Sequence, residues 1–162
     1  MKRAALIVTA LVLPMLVSAQ NTKGTPAPAP NACQLLATAD VDRITGEASE
    51  FAPVPAEGGG ACLWEKVKLH INVDTVDQRI AAATKEFGLL KAKPVAIAGV
   101  GEKAMAFAPQ PKGKDDDKLV YVLAKQGRYL VNVSVVIPTG KTVELVQPQA
   151  VELAKRVLEK LQ

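Results

Sequence analysis

The stretch 63–74 limits the folds open to this chain more than any other. Leu63, Val67, Leu69, Ile71 and Val73 alternate with Trp64, Lys66, Lys68, His70, Asn72 and Asp74. Period two over that length predicts a strand with one buried face and one wetter face. Such a strand belongs to a sheet, and the apolar face of a sheet must be covered. Glu65 breaks the apolar phase, which marks a bulge or bend.

The flanking sequence supplies the cover. Thr38 can cap a short helix over 39–45, with Gly46 placed to end it, and Leu35, Leu36, Val41 and Ile44 would face the core. Residues 47–55 predict a short edge strand limited by its prolines. Glu57-Gly58-Gly59-Gly60 reads as a turn. Asp77 can cap a helix whose apolar stripe is Ile80, Ala83, Thr84 and Phe87. Short strands follow at 95–97 and 103–108, then a polar loop over 109–118. Residues 119–124 and 129–137 predict a hairpin around Gln126-Gly127. A last helix carries Val151, Ala154, Val157, Leu158 and Leu161 on one face, and Pro148 suits its first turn. Helices between hairpin-joined strands imply an α+β class: an antiparallel sheet covered by two or three helices as a two-layer sandwich.

The N-terminus reads as an export signal. Lys2 and Arg3 precede an almost wholly apolar run from Ala4 to Val17, and Val17-Ser18-Ala19 fits the small-x-small cleavage pattern. The run falls short of the roughly 20 residues that span a bilayer. Residues 1–19 are therefore expected to be a cleaved signal peptide, 20–31 a Pro/Ala-rich extended linker, and 32–162 a single domain. Lipid anchoring needs a cysteine at the first mature position, where Gln20 stands, so no lipid anchor is expected. The destination is the periplasm or the exterior.

Removing residues 1–19 from 162 leaves 143, enough for one domain. The charge falls with it: 18 basic against 16 acidic residues is +2. So small a charge, with 4% aromatic residues, provides no case for nucleic-acid binding. Two cysteines remain, Cys33 and Cys62, and an even count in an exported chain reads as a disulfide framework with one possible intramolecular pairing. Two free thiols are the alternative.

Cys33-Gln34-Leu35-Leu36, Gly46, Cys62-Leu63-Trp64 and Gly99-Val100-Gly101-Glu102-Lys103-Ala104 occur in that order before the hairpin and the C-terminal helix. This arrangement resembles a family of small exported domains of unknown function, common among actinobacterial lipoproteins. That family shows Cys-x-Leu-Leu, Cys-x-Trp and Gly-x-Gly-Asp-x-Ala motifs, and the likeness covers most of 31–162. It implies a Cys33–Cys62 disulfide and an α+β sandwich, and no assigned activity. The chain departs from the pattern in lacking the lipoprotein cysteine. It also lacks the glycine-bearing break after Cys-x-Trp, so its strand is expected to run on unbroken.

No group of residues commits the chain to a chemistry. Trp64 shares a strand face with Cys62 and is expected to pack rather than to serve as a ligand platform. His70, the single histidine, lacks the partners of a hydrolytic triad or a zinc site, and is expected to be a solvated residue on the polar strand face. Gly99-Val100-Gly101 lacks the remaining features of a phosphate loop and reads as a turn. Asp115, Asp116 and Asp117, flanked by Lys112, Lys114 and Lys118, read as a solvated loop rather than a calcium site. The final helix is expected to cover its own sheet. The expectation is a non-enzymatic binding domain with no cofactor or metal, whose partner is a small apolar ligand or another envelope protein. The rivals are an accessory interaction domain without a ligand, and an envelope hydrolase that would need His70 beside a serine and a carboxylate.

Overall fold

The computed structural model describes residues 28–89, 92–108 and 118–162. The expected signal peptide, residues 20–27 of the linker and the Asp115–Asp117 loop lie outside them. Among the described residues, four helices, α1 (Ala32–Leu35), α2 (Thr38–Thr45), α3 (Val76–Leu89) and α4 (Val143–Glu159), accompany seven strands. The strands are β1 (Val54–Ala56), β2 (Ala61–Leu63), β3 (Val67–Val73), β4 (Val95–Ile97), β5 (Lys103–Phe107), β6 (Leu119–Gln126) and β7 (Tyr129–Val136). They form one sheet in the order β1-β2-β3-β7-β6-β5-β4, every neighbouring pair antiparallel. The chain is α+β, with helices covering an antiparallel sheet.

One face of the sheet carries the main core. Val67, Leu69 and Ile71 of β3, Val131, Val133 and Val135 of β7, and Val120, Val122 and Ala124 of β6 are buried there. Helix α4 lies across β6 and β7 and contributes Val146, Ala150, Leu153, Ala154 and Val157, all fully buried. Each large apolar side chain taken out of water there contributes about 1.5–3 kcal/mol. Helices α1 and α2 complete this layer with Leu35, Leu36 and Val41.

Several local expectations change. Of the edge strand expected over 47–55, only Val54 and Pro55 join a strand, and Asp77 lies in the first turn of α3 instead of capping it. The stretch 63–74 is a hairpin instead of one strand: the Trp64 N–H donates to the Val67 carbonyl (2.8 Å), and Leu63 pairs back onto Lys68. The polar Glu65-Lys66 pair turns in water, and Lys66 is tied to Glu47. The reversal puts Leu63 on the opposite face from Cys62 and leaves it 37% exposed. Thr38 lies inside α2, which begins after Ala37 without a side-chain cap. Its hydroxyl instead accepts from Trp64 Nε1 (3.4 Å). Helix α4 starts at Val143, so Pro148 sits inside it, not in its first turn. A proline there removes one intrahelical N–H donor, and packing of the neighbouring Val146 and Ala150 offsets that loss.

Helix α3 lies on the other sheet face, so helices cover the sheet on both sides instead of forming the expected two layers. Ile80 and Ala83 pack against a smaller cluster of Phe107, Leu123 and Leu130 with Ala92. The polar face of β3 is thereby partly roofed.

Candidate functional site: a cleft beneath α3

Strand alternation decides what lies under α3. His70 and Asn72 of β3, Leu130 and Asn132 of β7, and Tyr121 and Leu123 of β6 point away from the main core. On the helix side the cleft is bounded by Arg79, Ala82, Ala83 and Glu86. Ala82 and Ala83 project little side-chain volume toward the sheet, and a cleft of about 280 Å³ lies beside them. It is part apolar, through Leu123 and Leu130, and part polar.

The polar part is concentrated in one patch. His70 pairs directly with Asn132 across β3 and β7, and Asn72 pairs with Leu130, so Asn72 and Asn132 are diagonal neighbours beside the imidazole. Among the described residues, neither asparagine side chain has a hydrogen-bond partner, and Asn132 Oδ1 is shielded from solvent. A buried polar atom in that state costs about 1–3 kcal/mol.

His70 differs from its expected solvated state. Its side chain is only 24% exposed, because α3 overlies the strand face that carries it. Burial lowers its pKa from the usual histidine value, opposed by the Glu57 carboxylate. Glu57 Oε2 lies 3.0 Å from His70 Nε2, and Glu57 Oε1 accepts from Lys68 Nζ at 3.2 Å. That Lys68 bond leads the effects holding the Glu57 carboxyl below its ordinary pKa. Burial pushes the Tyr121 phenol up, with the Glu86 carboxylate adding to it. Arg79 and Glu86 are exposed on α3, one cation and one anion at the rim.

The other sequence candidates have structural roles. Cys33 and Cys62 form a disulfide, with Cα atoms 5.1 Å apart, that ties α1 to β2. Such a bond suits an oxidising compartment. Trp64 is 5% exposed in the same core as Cys62, which leaves no ring face for a ligand. Gly99-Val100-Gly101 is a turn with Val100 buried. Gly101 has φ 57, and a Cβ there would stand 2.3 Å from the Lys125 carbonyl oxygen, so the position admits no side chain. Glu102 continues the tie, its N–H donating to that same oxygen and its carboxylate accepting from the Gly127 N–H, both at 2.8 Å. Among the described residues, no group of three or more His, Cys, Asp or Glu is arranged to hold a metal, and no helix is long and apolar enough to cross a membrane.

Sequence reasoning passed over Asn72 and Asn132. A signal was present: asparagine is depleted in strands, yet both residues stand inside strands of high apolar content. No protein-family model, curated protein or solved structure matches the chain.

Proposed function

We propose that this chain is an exported, non-catalytic binding domain of the cell envelope that takes a small, partly polar molecule in the cleft beneath α3. The unfilled cleft carries the reading: it joins two leucines to two asparagines that, among the described residues, have no hydrogen-bond partners. Its volume lies near the lower end of ligand pockets, which suits a small molecule. Export is supported by the signal-like residues 1–19 and by the disulfide. Among the described residues lining the cleft there is no Ser, Thr or Cys, the nucleophile that a triad at His70 would need.

Mass spectra of the mature protein from its native envelope, native beside denatured, test this reading. A small-molecule mass lost on denaturation, and absent from an Ala83→Trp variant that fills the cleft, is the expected result. Bare protein mass from the wild type, isolated under conditions that preserve non-covalent complexes, counts against it.

A second reading is an accessory interaction domain. Phe51 is 69% and Val54 59% exposed, and Val54 pairs directly with the exposed Leu63 at the β1 edge. Crosslinking through position 54 in the envelope would capture a protein partner on this reading and none on the first.

A further inference from the structure

We infer that the cleft beneath α3 selects ligands bearing a carboxamide N–H, with Asn72 and Asn132 as the recognising pair. The inference rests on the cleft being a binding site. Asn72 and Asn132 stand diagonally on β3 and β7, with His70 directly across from Asn132, and both line the cleft. Neither side-chain amide is held by a hydrogen bond among the described residues. The terminal torsion of asparagine is broad and two-fold. Asn132 can therefore present either its oxygen or its NH2 to the cleft without breaking an internal bond.

A carboxamide has a donor and an acceptor side by side, as these side chains do. It pairs with a second carboxamide in either orientation. The charges around the cleft favour a neutral group. Arg79 and Glu86 oppose each other on α3, Glu57 is engaged by Lys68 and His70, and His70 is held toward its neutral form. A carboxylate would gain from Arg79 and lose against Glu86, and an ammonium the reverse, so neither sign of charge gains over a neutral group. Leu123 and Leu130 form an apolar floor for the body of the ligand, beside the Tyr121 ring. The class is a small neutral carboxamide on a compact apolar or aromatic frame.

Three probes on one ring separate the features: benzamide, N,N-dimethylbenzamide without an N–H, and benzoate. Each is titrated into the ¹⁵N-labelled mature chain and followed by amide and asparagine side-chain shifts. Benzamide is expected to move the Asn72 and Asn132 NH2 signals and to bind about tenfold tighter than the other two, the ratio one lost hydrogen-bonded pair produces. Asn132→Leu and Asn72→Leu, with the wild-type amide spectrum otherwise retained, are expected to bring benzamide down to the level of N,N-dimethylbenzamide.

Equal binding of all three in the cleft overturns the carboxamide inference and leaves the cleft as a site. Tighter binding of benzoate also overturns it, in favour of an anion site. Binding of none of the three overturns it too, and the native mass spectrum decides separately whether the cleft holds a ligand.

Discussion

Removing the Cys33–Cys62 bond should lower stability by about 3.6 kcal/mol without changing the folded structure. The bond joins residues 29 apart. In the chain-entropy relation, closing a loop of that length removes about 12 cal/mol/K from the unfolded ensemble, or about 3.6 kcal/mol at 25 °C. The native side should hold without the bond, because Ala32, Leu35 and Leu36 of α1 are buried against the sheet independently of the sulfurs. For a domain of this size, that loss corresponds to a fall in Tm of roughly 12 °C. The assay is urea unfolding of the wild type, the reduced wild type and a Cys33→Ser/Cys62→Ser variant. The cross-linked chain should also show the smaller m-value, since its unfolded state exposes less surface. A loss below about 1 kcal/mol would refute the reasoning, because the unfolded chain would then already be constrained by something other than the bond. A variant that does not fold would also refute it, by showing that α1 docks only through the sulfurs.

Gly101→Ala should destabilise by about 2–4 kcal/mol, since its Cβ meets the backbone oxygen of Lys125, whereas Gly127→Ala, which meets nothing within 4 Å, should cost about 1–2 kcal/mol from positive φ alone; chemical denaturation of the two variants checks the difference. Asn132→Leu should stabilise by about 1 kcal/mol, because it removes a shielded oxygen without a partner, and a lower urea midpoint would show that this oxygen is satisfied in solution. Stability should fall as pH drops below about 6.5 through the lowered pKa of His70, because the unfolded chain then takes up a proton that the folded chain resists. The loss should level off below the folded pKa. Urea midpoints across that window should be flatter in His70→Gln; identical pH profiles would refute the assignment to His70.

The sequence by itself determined the class of fold and most of its elements. The alternation along β3, the hairpin at Gln126-Gly127 and the ending of α2 at Gly46, whose N–H donates to the Asp42 carbonyl, are local effects of period, turn chemistry and capping. The cysteine pair was equally legible, since two cysteines permit one intramolecular bond. Element boundaries set by long-range packing were not. Pro148 suits a first helical turn by propensity, but burial of Val146 and Ala150 against the sheet carries α4 back to Val143. Leu63 fits the alternation of 63–74, but the reversal at Glu65-Lys66 turns it to the other face.

The candidate site was decided by tertiary structure alone. His70, Asn72 and Asn132 look like solvated residues on wet strand faces, and in an isolated hairpin they would be. Their environment comes from α3, which packs through Ile80 and Ala83 on the second face and bounds the cleft with Arg79, Ala82, Ala83 and Glu86. Period two states which face a side chain takes, and no period along the chain states what a distant helix lays over that face.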